Sequence, residues 1–363
     1  MNIALVLTGG GARAAYQVGV LQGVQQLIDE HQAPFNIYVG SSGGAINATH
    51  LAAHYGQFST ALKELHKLWG NLTTSQVYST GLSSIVRITG QLARDLIAHR
   101  SVPRSFHSFM DSQPLRDLIL SHQTHQRLHQ QIANGDLKGL SIACTSLSEA
   151  STIHFVETAQ AIPPWHRHRR RCEFSRITVD HIMASSAIPL LFPPVKIGEH
   201  YFADGSTRNI FPLSPAIRLG CDRILAIGVR NDDDEYQPVY YEPSIARQTS
   251  VLLNAMFFDA VDSDLEQLAI KNEIAKNNAG NTQLREIKAL MISPSKDPAT
   301  IALQHQYEAP KALTFLLNSL GTIKEAAALL SYLLFEADFM KELIALGYQD
   351  AIKHQSDIMD LFN

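Results

Sequence analysis

The sequence predicts an α/β protein with a mostly parallel sheet between two helical layers. Three observations carry this. The apolar run Ile3–Leu7 leads into a glycine-rich turn and then a helix-like stretch. The apolar run at 35–39 repeats the same order. Further short apolar runs recur at 139–147, 152–157, 223–229 and 289–293, with helix-like tracts among them. Short apolar strands that alternate with helices are those of a sheet covered on both faces.

The elements follow in order. Strand, loop and helix alternate from residue 1 to about 56. Residues 57–135 carry few strand signals. Helices are expected at 61–69, 82–98 and 113–133, so this stretch reads as a helical insertion over one side of the sheet. A short helix is expected at 179–187 and a long helical tract at 244–279. From Pro310 onward the pattern is helical to the end. The expected division is a catalytic domain over 1–310, with a helical extension over 311–363 packed on it. Leucines crowd most faces of 313–335, which suits a helical hairpin on the core or at a dimer interface, so a homo-oligomer is compatible with the sequence.

Composition bounds the function. Apolar residues make up 45% of the chain and charged residues 18%, enough for a substantial core. A net charge of −4 does not recommend nucleic acid as a partner. Three scattered cysteines, Cys144, Cys172 and Cys221, fit a reducing compartment and no disulfide framework. The expected location is cytoplasmic, with at most peripheral contact at a membrane. No export signal is visible, and no stretch reaches the 18 apolar residues of a spanning helix. The basic run at 166–171 follows Pro163, Pro164 and Trp165. It could face an anionic lipid surface, but a solvated mobile loop is the favoured reading.

The chemistry concentrates in two turns. The second, Gly40-Ser41-Ser42-Gly43-Gly44, fits G-x-S-x-G in one frame only. That frame selects Ser42, flanked by Gly40 and Gly44; Ser41 fails it because Val39 stands two residues before. A nucleophile on a sharp strand-to-helix turn is strained, so its neighbours must be small. The first turn, Gly9-Gly10-Gly11-Ala12-Arg13, also fits the dinucleotide pattern as Gly9-x-Gly11-x-x-Ala14. That pattern expects an acid at the end of the second strand. Here the strand leads into Gly40, while Asp29 and Glu30 come too early. The alternative is that Gly10 and Gly11 amides form an oxyanion hole, with Arg13 adding charge or anchoring the loop.

A third segment, His200-Tyr201-Phe202-Ala203-Asp204-Gly205, reads as a strand that ends in an Asp-Gly turn. Upstream stands Met183-Ala184-Ser185-Ser186-Ala187-Ile188-Pro189, and downstream Asn209-Ile210-Phe211-Pro212. In this order the motifs resemble the patatin-like phospholipase family from Asn2 to about Val229. The segment Leu346-Gly347-Tyr348-Gln349-Asp350-Ala351 is similar to bacterial members. The resemblance implies a Ser–Asp dyad with Ser42 as nucleophile and Asp204 as base. It implies an oxyanion hole at Gly9, Gly10 and Gly11, with Arg13. One departure stands out: the family usually has Asp-Gly-Gly or Asp-Gly-Ala, and this chain has Asp204-Gly205-Ser206.

A triad would need a histidine after the acid, which leaves His305 and His354. Both read as surface residues in helical context. No H-E-x-x-H or other tight ligand spacing is visible, so neither metal nor cofactor is expected. The reading is a serine acyl hydrolase acting on lipid esters such as phospholipid, lysophospholipid or acylglycerol. The alternative is a non-catalytic lipid- or partner-binding protein on the same scaffold.

Overall fold

The computed structural model describes residues 1–28, 34–79, 108–122, 124–135, 137–231, 240, 242–257, 259–277 and 284–363. The helix expected at 82–98 lies outside these residues.

Strand β1 (Ile3–Leu7) is buried along its whole length and sits inside the sheet. It pairs in parallel with β2 (Ile37–Gly40) on one side and β9 (Arg223–Ile227) on the other. The parallel block continues to β3 (Gly139–Ser146) beyond β2 and to β10 (Lys288–Ile292) beyond β9. Past β3 the sheet becomes mixed. Strand β4 (Ser151–Glu157) and strand β8 (His200–Asp204) both run antiparallel to β3. Strand β6 (Arg170–Phe174) pairs in parallel with β4, and β5 (His166–Arg167) closes that edge. Strand β7 (Val195–Ile197) hairpins with β8.

Helices cover both faces, giving three layers. Helix α1 (Ala15–Ile28) follows the first glycine turn, and α2 (Gly43–Ala53) follows the second. Helix α3 (Phe58–Gly70) packs on both, with Phe58, Leu62 and Leu65 buried at helical spacing. The described part of the insertion adds α4 (Thr74–Val77), α5 (Gln113–Ser121) and α6 (Thr124–Ala133). Helix α7 (Val179–Ser185) sits beside β3. The sequence's single tract over 113–133 is thus two helices, as is the tract over 244–279: α9 (Ile245–Phe257) and α10 (Asp259–Asn277), with the short α8 (Ser214–Arg218) before them.

The helices after 310 share the main core with β1 and α1. Helix α11 (Pro298–Gln304) precedes α12 (Lys311–Leu320) and α13 (Ala327–Leu333), and α13 is buried throughout. Helix α14 (Ala337–Lys353) lies along α1, and α15 (Gln355–Phe362) ends the chain. The α1–α14 contact depends on glycine. A Cβ on Gly347 would stand 2.2 Å from the Tyr16 carbonyl oxygen, and one on Gly19 would stand 1.9 Å from that of Ile344. Asp350 locks the contact, accepting from Tyr16 Oη at 3.2 Å and from the Ser295 amide at 2.9 Å.

The basic run does not form the loop expected of it. Residues 166–171 make the β5–β6 hairpin, with Arg169 at its turn in a positive-φ conformation. Arg170 lies 3.9 Å over the Phe211 ring, and Arg171 is held by Glu149. Residues 166–169 are exposed, as composition suggests, but edge-strand pairing, stacking and an ion pair order the run as a hairpin.

Candidate active site

The second glycine turn connects β2 to α2 with Ser42 as the N-cap residue. Its backbone stands at φ 52° and ψ −129°, a region that non-glycine residues avoid. Crowding makes the flanking glycines obligatory. A Cβ on Gly40 would lie 2.6 Å from the Ala45 Cα, and one on Gly44 would lie 2.4 Å from the Leu7 carbonyl oxygen. Gly43 faces the other turn: its Cβ would meet the Gly11 carbonyl oxygen at 2.8 Å. The two turns therefore touch at the carboxyl ends of β1 and β2.

The first turn opens a 3-10 turn over Gly11–Ala14 that runs into α1. Gly11 has φ +54°, and a Cβ there would lie 2.4 Å from the Tyr332 carbonyl oxygen. Among the described residues the amides of Gly9, Gly10 and Gly11 donate to no protein group. They are open donors at a helix start. Arg13 is buried and points the other way: its Nε donates to Ser331 Oγ at 2.8 Å, and its guanidinium lies 4.3 Å over the Tyr332 ring. Of the two roles the sequence leaves open for Arg13, this geometry is that of an anchor, tying the loop to α13. A buried network also joins the loop to α2 and α3. Gln17 donates to the Thr8 carbonyl, Asn47 donates to Gln17, and Trp69 donates to Asn47.

Asp204 ends β8, fully buried. Its Oδ1 accepts from the Ser206 amide at 2.9 Å, while Oδ2 has no hydrogen bond of standard geometry among the described residues. Burial pushes its pKa up to about 7, against the opposing pull of the Ser42 hydroxyl and Ser206. Ser42 and Asp204 are therefore brought together, with one carboxylate oxygen left free to accept. The Asp-Gly-Ser departure is absorbed locally. Gly205 packs on the Ala143 carbonyl, where a Cβ would stand at 2.0 Å, and Ser206 Oγ donates to Ser41 Oγ at 3.3 Å.

The motif at 183–189 has a role that sequence reading missed. Ser185 Oγ donates to the Ala143 carbonyl at 2.7 Å and accepts from the Ser42 amide at 3.0 Å. Two residues on, the Ala187 carbonyl accepts from the Asp204 amide at 2.8 Å. One short segment thus holds the backbone of both residues. Its only sequence signal is small polar residues at the end of a helix, and the partners lie far apart in the chain.

Neither triad candidate reaches this site. His305 is half-buried, not a surface residue, and sits between Glu308 at 2.6 Å and Glu342 at 2.7 Å. Its burial disfavours charge, but the two glutamates outweigh this and raise its pKa. His354 pairs with Asp357 at 3.2 Å.

Ser42 lies on the lining of a mostly apolar pocket. Gly11, Ile46, Trp69, Leu115, Phe192 and Phe335 are among its lining residues.

A sequence model described as patatin-like phospholipase matches residues 5–217, more than half the chain. The chain belongs to the patatin-like phospholipase family, a class of lipid hydrolases. No curated protein matches it in a sequence search. Its fold is similar to VipD from Legionella pneumophila, at 13% identity and TM-score 0.42 over 98% of this chain and 67% of that one. It is similar to the type III effector ExoU of Pseudomonas aeruginosa, at 14% identity and TM-score 0.41 over 98% and 53%. Human GIVD cytosolic phospholipase A2, solved with methyl gamma-linolenyl fluorophosphonate, matches at 13% identity and TM-score 0.43 over 99% and 59%. The chain thus spans 53% to 67% of the length of these proteins. Among the described residues no helix is long and apolar enough to cross a membrane.

Proposed function

We propose that this protein is a serine acyl hydrolase that cleaves carboxylic esters of lipids through a Ser42–Asp204 dyad. The observation that carries the reading is the strained Ser42, set beside a buried carboxylate at the mouth of an apolar pocket. Asp204 Oδ2 takes the Ser42 proton as Oγ attacks the ester carbonyl carbon. The carbonyl oxygen becomes an oxyanion, held by the amides of Gly10 and Gly11, with Gly9 shaping the turn. The tetrahedral adduct collapses, and the alcohol or lysolipid leaves with the proton that Asp204 returns. Ser42 keeps the acyl group. Asp204 then takes a proton from water, whose oxygen attacks the acyl carbon. Fatty acid leaves, and Ser42 regains its proton. Arg13 acts as a positioning residue through α13.

The pocket takes the acyl chain. Its lining is mostly apolar, with Ile46, Trp69 and Phe335 among it, and burial of methylenes there favours lipid over small acetyl esters. Serine-directed fluorophosphonate labelling tests the assignment. Wild type and Ser41→Ala should label, and Ser42→Ala should not. Equal labelling of wild type and Ser42→Ala would overturn it and favour a binding protein on this scaffold.

A further inference from the structure

Helix α2, which begins at Ser42, ends in two histidines one turn apart. His50 lies in its last turn and His54 is its C-cap. Their rings stack with centroids 4.3 Å apart, and both Nε2 atoms face Glu64. Across from them, on α3, stands Glu64. Its Oε2 lies 3.3 Å from His50 Nε2 and 3.2 Å from His54 Nε2. All three ligand atoms fall within 4.8 Å of one another.

We propose that His50 Nε2, His54 Nε2 and a Glu64 carboxylate oxygen bind one divalent transition-metal ion of the zinc class. The geometry is the first argument. Two ligands each about 2.0–2.1 Å from a tetrahedral zinc stand roughly 3.3 Å apart. The two Glu64 contacts fall at that spacing. They are long for charge-assisted hydrogen bonds, which shorten to about 2.7–2.9 Å.

Unmet bonding is the second argument. His50 Nε2 is buried and has no hydrogen-bond partner among the described residues. The other nitrogen of His54 is spoken for: Nδ1 lies 2.8 Å from the His50 carbonyl oxygen, where it donates. In the neutral ring that bond leaves Nε2 as the lone-pair atom, and it orients the ring as metal-bound histidines require.

The helix end is the third. The carbonyl-rich C-terminus of α2 favours positive charge. Lys67 and Arg127 also line this groove and oppose it. Arg127 is partly engaged, since its Nη2 donates to Gln57 at 3.1 Å. With three protein ligands, the fourth position would face the groove, open to water or a further ligand.

His50 also lines the acyl pocket. Eight residues separate it from Ser42, about 12 Å along a helix axis. An ion there would be too distant to polarise the ester carbonyl. It would clamp α2 to α3 and stiffen the pocket wall. The site stands independently of the hydrolase reading, because its test measures the metal alone.

The test is calorimetric titration of the chelator-treated full chain with ZnCl2. One saturable site per chain is expected, with a rise in Tm of about 2–4 °C at about 100-fold excess over Kd. Co2+ should give the visible bands of tetrahedral coordination. Glu64→Gln and His54→Gln should each weaken binding about 100-fold or more, while His66→Gln on the same α3 should bind as wild type. Glu64 is exposed, so its variant keeps the test sound even where His54→Gln fails to fold. Absence of a saturable site, or unchanged affinity in Glu64→Gln, would overturn the proposal.

Discussion

At Asp204, burial removes the water that would solvate a charged carboxylate, and only Ser206 and Ser42 partly replace it. The result is a carboxyl group with its pKa pushed up to about 7, far above its ordinary 3.8. Two predictions follow from the sign of that shift. Turnover needs the charged form, so kcat on a soluble ester should fall about tenfold per pH unit below pH 7 and level off above it. Stability runs the opposite way. Between pH 3.8 and about 7 the folded chain binds more protons at this site than the unfolded chain. This group's contribution to stability therefore falls as pH rises through that window. Asp204→Asn removes the charge and keeps the shape. It should abolish turnover yet raise Tm at pH 8, a pairing expected where strain serves activity. A pH–rate profile and thermal melts at pH 5 and pH 8 check both. A lower Tm for the variant at pH 8 would show that Asp204 is stabilised as an anion.

At the scale of elements, three short segments hold the site: the β1 and β2 turns, and the end of α7 with the residues that follow it. Ser185→Ala leaves two buried backbone groups, the Ser42 amide and the Ala143 carbonyl, without their bridge. Each unmet group costs about 1–3 kcal/mol. The expected outcome is a lower Tm and a kcat down about tenfold or more, with KM little changed, because the pocket is untouched. A pure KM effect would sink the positioning role. Gly11→Ala forces a Cβ onto the Tyr332 carbonyl oxygen, at a φ that favours glycine. It should cost about 100-fold in kcat through a misplaced amide; wild-type kcat in that variant would refute the oxyanion assignment. What the sequence could disclose divides along the same line. Gly9 to Gly11, the elbow around Ser42 and the Asp204 turn obey local backbone rules, so spacing reveals them. Ser185 bonds a residue 143 positions away, and Arg13 one 318 away, so spacing cannot show what either holds. Sequence reading passed over the His50–His54 spacing, whose meaning depends on Glu64 arriving from another helix. The basic run misled because pairing with β4 through β6 is a tertiary event.

At the scale of the whole molecule, the pocket is assembled from every part of the chain. Gly11 and Ile46 come from the first two βα units, Trp69 and Leu115 from the insertion, Phe192 from before β7, and Tyr332 and Phe335 from the helices after 310. Those last helices lie beyond the stretch matched by the family model, yet they share the core of β1 and α1. Acyl-chain preference should therefore depend on both ends of the sequence. Each methylene buried in such a lining gains roughly 0.8 kcal/mol, nearly a fourfold effect on binding. On one leaving group, kcat/KM should climb from acetyl to medium-chain esters, then level off once the pocket is full. The insertion and the helices after 310 can be tested separately. Leu115→Ala and Phe335→Ala each open the lining, so each should lower kcat/KM for octanoyl esters more than for acetyl esters. Stopped assays with a chromogenic ester series would measure this on folded variants. A preference for acetyl over octanoyl in the wild type would remove the lipid reading and leave a small-ester hydrolase with a pocket it does not use.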